Sequence, residues 1–342
     1  MKHYSDNDSY KYDEYEEMFN PVQTDRKARR KRKPRIDPNR AKGGLETAVA
    51  HIAEATVLET EFETSYQTSR HEAGWLLQSL RPFYEQELIS DITAQVKGGK
   101  EANVYRCAAH PALGVVWVAA KVYRPRMFRS LSNDKMYQQG RETLKANGRP
   151  VKATDSRLMR AIGKKTAFGQ QVAHTSWLMY EYTTMELLYE AGASVPEPLA
   201  ANDNAILMAY IGDEQMAAPP LSQITVARDE AILAFREVMR NVELMLANGL
   251  IHGDLSAYNI LYWDEQPILI DFPQVVDSKA NPDAFTIFER DIQRVCDYFA
   301  RQGVPCDAAF ITNDLWERYV LDDRSDRLAE ASRFEEVYDY NG

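Results

Sequence analysis

Three polar side chains stand at the spacing that phosphoryl-transfer chemistry needs. Asp254 lies five residues before Asn259 in IHGDLSAYNIL (251–261), and Asp271 follows the apolar run ILI (268–270). A turn of that length can point a carboxylate and an amide into one cleft, and a short strand can deliver a second carboxylate. One carboxylate could orient or deprotonate a nucleophile, while carboxylate and amide oxygens could hold Mg²⁺ against a triphosphate. Each residue alone could be a turn cap or a strand end, but the ordered set predicts phosphoryl transfer.

A lysine stands near the end of a predicted buried strand. The run VVWVAAKVY (115–123) is apolar and rich in β-branched residues, and Lys121 is its only charged residue. Burying an unpaired ammonium is costly, so Lys121 needs an anionic partner. Glu181, in a helix predicted over 176–192, is the best candidate. The alternative is a strand-end lysine that reaches solvent.

Paired glycines separate two predicted strands in KGGKEANVY (97–105). Glycines let backbone N–H groups approach a phosphate closely, so this segment could bind a nucleotide. A simple hairpin turn would use the same residues, and both interpretations stay open at this point.

The surrounding pattern predicts strands and helices that could bring these segments together. Apolar, β-branched runs bounded by turn residues predict strands at 92–96, 102–107, 115–123 and 205–210. Apolar residues at spacings of three and four predict helices within 46–90 and over 176–192, 224–250 and most of 284–318. The basic stretch 125–175 predicts a long loop with helical fragments.

The composition indicates a soluble globular protein with a charged N-terminal tail. The 342 residues carry a formal net charge of −10, which argues against a protein that coats nucleic acid with its whole surface. The tail predicted at 1–45 contains a basic arm at 26–35, which could contact RNA or a ribosomal subunit or could simply be solvated. No apolar run reaches the roughly 18 residues of a membrane span, so we expect no membrane partner. The 3 cysteines lack a CxxC spacing, which fits a cytoplasmic location.

Four segments together resemble the signature of a known family, the RIO atypical serine/threonine protein kinases. They are GKEANVY (99–105), AAKVY (119–123), HGDLSAYNIL (252–261) and IDFPQVV (270–276). The resemblance runs in order through 75–335. Ala257, where the family usually has an acidic residue, and the long insert at 125–175 indicate a divergent branch.

The resemblance implies an α+β, two-lobed protein-kinase-like fold that lacks the usual activation segment. It divides the chain into a tail (1–45), a helical extension (46–90), a small β-rich N-lobe (91–212) with the basic insert (125–175), a mainly helical C-lobe (213–335) and a second tail (336–342). Consistent with the missing segment, Asp271-Phe272-Pro273 replaces the usual DFG and no APE-like stretch follows.

The resemblance also implies ATP with Mg²⁺ or Mn²⁺ in the cleft between the lobes. By motif, Asp254 is the catalytic carboxylate, Lys121 and Glu181 form an ion pair, and Asn259 and Asp271 are metal ligands. The residues expected to contact the nucleotide are Lys97, Gly98, Gly99, Lys100, Glu101, Val104, Ala119, Lys121, Met208, Tyr210, Ile211 and Leu261.

The acceptor of the phosphoryl group stays open. The resemblance implies transfer to a protein serine or threonine, to the chain itself or to water, and a link to maturation of the small ribosomal subunit. A second hypothesis is a small-molecule phosphotransferase of the aminoglycoside or choline kinase type, against which GKEANVY argues. A third is a module whose contact with RNA or the ribosome, through the arm at 26–35, is switched by ATP.

Overall fold

The computed structural model describes residues 64–99, 101–124, 137, 139, 141, 143–145, 148–151, 155–164 and 166–321. All of these belong to one of the two compact units of the chain, Thr56–Gly342. The tail predicted at 1–45 with its basic arm, the first part of the helical extension, Lys100 and the tail at 336–342 lie outside the described residues.

Five antiparallel strands form the N-lobe sheet, in the order β1-β2-β3-β5-β4. They are β1 (Ile89–Lys97), β2 (Ala102–Ala109), β3 (Trp117–Tyr123), β4 (Pro198–Ala201) and β5 (Ala205–Ala209). The central strand β3 is buried beyond its first residue, as its apolar sequence predicts. Val115 and Val116, which were expected in this strand, precede it and are 51% and 69% exposed. They lie in the connection from β2 to β3 and not over the core.

Both edges of the sheet differ from the sequence prediction. β1 begins at Ile89, so the sheet starts before the boundary placed at residue 91. β4 was not predicted, because Pro198 opens it and proline usually argues against a strand. An edge strand tolerates proline, since one side of its backbone needs no hydrogen-bond donor.

Helix α1 (Arg70–Glu85) covers one face of this sheet. Its Leu76, Leu80 and Phe83 are buried in one apolar cluster with Ile92 and Val118 of the sheet. The spacing of four and three residues places the three helix side chains on one face of α1. The helical extension predicted before residue 91 is therefore, in its described part, a component of the N-lobe core.

Helix α3 (Ala167–Glu190) is longer than the predicted helix over 176–192. It begins earlier because Thr166 caps it: the Thr166 side-chain oxygen accepts a hydrogen bond from the Gly169 N–H at 3.1 Å. The chain leaves the helix through Gly192, which has a φ of 77°. A shorter helix, α2 (Ser156–Gly163), precedes it within the segment that was predicted as mainly loop.

The C-lobe is mainly helical and holds two small hairpin-like sheets. Its helices are α4 (Arg228–Ala247), α5 (Ala284–Arg301) and α6 (Ala308–Trp316), followed by a π-helical turn at Glu317–Leu321. Its strand pairs are β6 (Leu250–Ile251) with β9 (Val276–Asp277), and β7 (Ile260–Trp263) with β8 (Gln266–Leu269). Residues 272–283 alone separate Asp271 from α5, so the chain has no room there for a usual activation segment. The predicted α+β fold is confirmed. Among the described helices, none has the length and apolar character that crossing a membrane requires.

We predict that α1 contributes strongly to the stability of the N-lobe. Leu80 is fully buried, so Leu80→Ala should lower the free energy of unfolding by about 2–5 kcal/mol, measured by urea denaturation. Leu233→Ala removes the same atoms from a side chain that is 62% exposed. It should change the free energy of unfolding by less than about 0.5 kcal/mol. Equal effects of the two substitutions would contradict the placement of α1.

Candidate active site

Lys121 links two carboxylates that come from different parts of the chain. Its Nζ lies 2.5 Å from Oε1 of Glu181 in α3 and 2.6 Å from Oδ1 of Asp271, just after β8. The Glu181 carboxylate also accepts a hydrogen bond from the Tyr123 hydroxyl, two residues beyond Lys121 on β3. The structure therefore brings together the lysine and glutamate that the sequence paired, and adds Asp271 to them.

Burial and charge act in opposite directions on these groups. Burial alone would lower the pKa of Lys121, but the Asp271 and Glu181 carboxylates raise it well above its usual value. Burial alone would raise the pKa of Asp271, but the Lys121 ammonium holds it below its usual range. Burial raises the pKa of Glu181, although Lys121 acts against it. Lys121 and Asp271 are consequently both charged at neutral pH.

The loop between β6 and β7 orients Asp254. The Asn259 amide nitrogen donates to the Asp254 backbone oxygen at 2.9 Å and to its Oδ2 at 3.1 Å. On the other side, Arg294 Nη1 of α5 lies 2.8 Å from Asp254 Oδ1. The Asp254 side chain is held from two directions and is still 39% exposed, so an acceptor can reach it.

The β7–β8 hairpin explains why Asn259 and Asp271 are neighbours in space. Ile260 pairs with Leu269, and the N–H of the next residue, Ile270, donates to the Asn259 backbone oxygen at 3.0 Å. The two polar residues therefore flank the same end of one hairpin. Asp271 has a φ of 73°, a left-handed conformation that costs a residue other than glycine some strain.

The backbone around Gly253 is held by side chains that the sequence did not single out. The Gly253 N–H donates to Asp291 Oδ2 at 2.7 Å, and Arg290 Nη2 donates to the Gly253 oxygen. Gly253 has a φ of 82°, and a Cβ there would lie 2.1 Å from the Gln274 oxygen, so only glycine fits. Asp291 carried one signal, because it stands among apolar residues of a predicted helix, where an acid needs a buried donor.

His252 adds a second support beneath the loop. Burial lowers the pKa of its imidazole, which favours the neutral ring. Nε2 lies 3.2 Å from the Ile270 oxygen, and Nδ1 accepts from the Asp254 N–H at 3.3 Å. The ring thereby connects the segment of Asp254 with the segment of Asp271.

One face of the N-lobe sheet carries several residues expected at the nucleotide. Val104 pairs with Lys121 across β2 and β3, and Ala119 pairs with Met208 across β3 and β5. Lys97 lies opposite Val104 on β1. Paired residues, and residues two apart on one strand, share a face of a sheet, so these five side chains point to the same side.

The remaining expected contacts lie around this face. Gly98 and Glu101 stand between β1 and β2, while Tyr210 and Ile211 follow β5 where the chain passes to the C-lobe. Leu261 lies in β7, next to Asn259 and Ile260 in the chain. Their contact with a nucleotide stays a prediction.

The glycine loop is tied to α1 through a chain of hydrogen bonds. The Gly99 N–H donates to Asn103 Oδ1 at 3.2 Å, and the Asn103 amide donates to the Tyr105 hydroxyl at 3.0 Å. Tyr105 in turn donates to the Glu72 carboxylate of α1. A Cβ at Gly99 would lie 2.6 Å from the Ala102 oxygen, so this turn requires glycine. Gly99 and Asn103, on either side of Lys100, are thus held by hydrogen bonds, which suits both interpretations of the sequence.

The two protein oxygen donors fit a divalent cation whose remaining ligands include phosphate oxygens. Asp271 supplies a carboxylate with 40% of its side chain exposed, and Asn259 keeps its amide oxygen while its nitrogen binds Asp254. Among the described residues, no group of three or more His, Cys, Asp or Glu side chains could hold a metal alone. A divalent cation suits such a site when one or two protein oxygens bind it together with substrate phosphates.

Comparison with known proteins adds a family to this geometry. Residues 117–311 match the family described as the RIO domain. The RIO-type serine/threonine-protein kinase Rio1 of Haloferax volcanii is 30% identical over 230 residues, covering 64% of this chain and 68% of that protein. The protein of the same name from Thermoplasma acidophilum is 34% identical over 131 residues, covering 38% and 67%. The serine/threonine-protein kinase rio2 of Schizosaccharomyces pombe is 28% identical over 230 residues, covering 67% and 58%.

We predict a pH signature for the support under Gly253. Burial raises the pKa of Asp291 to about 7, although Arg290 and the Gly253 N–H act against it. In the unfolded chain the carboxyl titrates near 4, so the folded protein keeps a proton that the unfolded chain loses. The stability of the wild type relative to Asp291→Asn should therefore be greatest below about pH 4 and fall towards pH 7, by roughly 1 kcal/mol per pH unit.

Urea denaturation of both proteins between pH 4 and pH 8 tests this expectation. Every other titrating group is common to the two proteins, so their difference isolates Asp291. A difference that stays constant across this range would contradict a raised pKa for Asp291.

Proposed function

Because the chain belongs to the RIO family of protein kinases, we propose that it transfers the γ-phosphoryl group of ATP to a protein serine or threonine, to itself or to water. The observation that carries this proposal is the contact of Lys121 with both Glu181 and Asp271, with Asp254 and Asn259 at the adjoining end of the β7–β8 hairpin. A phosphate binder, a base and two oxygen ligands are the parts that phosphoryl transfer requires.

Asp254 has the properties of the residue that activates the acceptor. Its carboxylate is partly exposed, and Asn259 and Arg294 restrict its orientation. A hydroxyl placed against it would be oriented for attack on the γ-phosphorus and would pass its proton to the carboxylate as the new P–O bond forms, while the bond from the γ-phosphorus to the β–γ bridging oxygen breaks and ADP leaves.

Lys121 and Glu181 would hold the other end of the triphosphate. Glu181 is 1% exposed and fixes the ammonium at the end of the buried strand, so that phosphate oxygens would meet a cation already in place. Such preorganisation avoids the reorientation that free solvent dipoles would need. The sheet face formed by Val104, Ala119 and Met208 would then pack against the adenine ring of ATP.

Asp271 and Asn259 would hold a divalent cation, for which we propose Mg²⁺ or Mn²⁺. When bound, that cation would neutralise charge on the phosphate oxygens. Asp271 is suited to this role because Lys121 keeps it ionised, and Asn259 because its nitrogen is already bound to Asp254.

The proposed location of the reaction is the cytoplasm. The 3 cysteines are free thiols, which supports a reducing cytoplasm. An RNA or ribosomal contact through the arm at 26–35 lies outside the described residues and stays a prediction, as does the identity of the acceptor protein.

We predict that Asp254 and Asp271 fail in different ways. Asp254→Ala should lower phosphate release and protein labelling from γ-³²P-ATP by on the order of 100-fold or more, because proton transfer and acceptor orientation are lost. Its ATP affinity should stay within about threefold of wild type. Asp271→Ala should instead lose the gain in ATP affinity that Mg²⁺ produces, measured by titration calorimetry.

Asp314→Ala is the matched control, since Asp314 is also a half-exposed aspartate paired with an arginine, Arg318, but lies in α6. Wild-type turnover in Asp254→Ala would contradict the proposal. Turnover that requires a small metabolite acceptor would favour a small-molecule phosphotransferase. Tight ATP binding with no turnover in any variant would favour an ATP-switched binding module.

A further inference from the structure

Part of the basic insert runs along both lobes and contacts the elements that carry the site. We call residues 137–151 the strap, of which the structure describes 137, 139, 141, 143–145 and 148–151. The sequence predicted this stretch as mainly loop, and neither the motifs nor the proposed function gave it a role. Its contacts divide into an anchor on α3 and an extension towards the C-lobe.

The anchor is a small hairpin on the helix that carries Glu181. The Val151 N–H donates to the Thr143 oxygen at 2.7 Å and the Lys145 N–H to the Arg149 oxygen at 2.8 Å. Between them, Leu144 is buried in the main apolar core. Its N–H donates to Ser176 Oγ of α3 at 2.8 Å. The strap is therefore fixed to α3 five residues before Glu181.

The extension ends on the segment that follows Asp271. Arg141 Nη2 donates to the Pro273 oxygen at 2.7 Å and to the Val275 oxygen at 2.6 Å, and Arg141 Nε donates to the Val275 oxygen at 3.1 Å. The same guanidinium lies over the ring of Tyr180, 4.5 Å from its centroid. Tyr180 is the residue directly before Glu181.

Two further contacts place the strap along the C-lobe. The Asn281 amide donates to the Gln139 oxygen at 3.2 Å. Arg290 Nη1 donates to the Tyr137 hydroxyl at 2.9 Å, while its Nη2 donates to the Gly253 oxygen beside Asp254. The described residues of the strap thus contact the segment after Asp271, the loop before α5 and α5 itself.

Arg141 joins the same two elements that Lys121 joins, but from outside the cleft. Lys121 connects Glu181 with Asp271, whereas Arg141 connects Tyr180 with Pro273 and Val275. We propose that Arg141 is a positioning residue that fixes the position of α3 relative to the segment that follows Asp271. Lys121 can then reach both the Glu181 and the Asp271 carboxylates. This inference rests on the proposed function, because it concerns the groups that would bind ATP and its metal ion.

An arginine is suited to this task for two physical reasons. Its planar fork can donate to two carbonyl oxygens at once and still stack on an aromatic ring, which a lysine ammonium cannot do. The carbonyls of Pro273 and Val275 also follow Asp271, whose φ of 73° is unfavourable without support. Donors on those carbonyls restrict the turn to the conformation that directs Asp271 at Lys121.

The first test reads the structure and needs no turnover. Amide hydrogen exchange of the full-length protein should show faster exchange at 176–184 and 272–276 in Arg141→Ala than in wild type, by on the order of tenfold. The matched control is Lys145→Ala, because Lys145 lies on the same strap but its side chain pairs with Asp155 at 2.7 Å and not with either segment. Unchanged exchange at both segments in Arg141→Ala would overturn the inference.

The second test separates positioning from folding. Arg141→Lys keeps the charge but not the fork, and Tyr180→Leu removes the ring while leaving both carbonyls in place. Each substitution should raise the Mg²⁺ concentration that produces half of the Mg²⁺-dependent gain in ATP affinity. Each should also lower the turnover rate by on the order of tenfold, since small misplacements of reacting groups have large effects. ADP affinity without metal should change by less than about threefold. Wild-type metal dependence in Arg141→Lys would overturn the inference.

The two proposals can fail separately. If the wild type binds ATP with Mg²⁺ but shows no Asp254-dependent turnover, the proposed function fails, and the metal dependence of ATP affinity in Arg141→Lys still decides the role of Arg141. If the wild type turns over and Arg141→Lys matches it in rate, metal dependence and hydrogen exchange, Arg141 has no positioning role and the proposed function stands.

Discussion

The arrangement depends on one buried cation with two anionic partners. Lys121 stands in β3, the most buried of the described N-lobe strands, where an isolated ammonium would be very unfavourable. Its partners are Glu181 on a helix and Asp271 on a loop of the other lobe. Removing Lys121 would leave the buried Glu181 carboxylate without its cation, typically at a cost of about 3–5 kcal/mol. The position of α3 on the sheet, and of the C-lobe below it, is therefore constrained by electrostatics as much as by packing.

Sequence reasoning succeeded where chemistry and spacing are local. Asp254 and Asn259 are five residues apart, and the hairpin that brings Asp271 beside them is short, so their proximity follows from the chain alone. Lys121 and Glu181 are 60 residues apart, and their pairing was indicated by the need of a buried lysine for an anion together with the family resemblance. The fold class followed from the family resemblance, with which the strand and helix patterns agreed, but edge details such as the strand opened by Pro198 did not follow from either.

The residues that the sequence did not reveal share a physical property. Arg141, Arg290 and Arg294 act through guanidinium groups that bind backbone oxygens or a carboxylate far along the chain. The sequence around a surface arginine looks the same whether its side chain is solvated or binds another part of the protein. Asp291 differs, because it sits among apolar residues of α5 at 2% exposure, and an acid in such a position signals a buried donor to be satisfied.

Helix α1 also determines how much of the chain a minimal folded kinase must contain. The segment before α1 binds one edge of the sheet, through the Tyr66 N–H to the Ile92 oxygen at 2.9 Å, and α1 itself binds the other edge, where the Asn202 amide donates to the Ser79 oxygen at 2.9 Å. A shortened protein that starts at residue 91 would uncover a continuous apolar surface and remove the Glu72 carboxylate that the Tyr105 hydroxyl binds. Such a fragment would be prone to self-association. For expression of the catalytic unit alone, the natural starting point therefore lies before Tyr66, whose N–H binds the sheet.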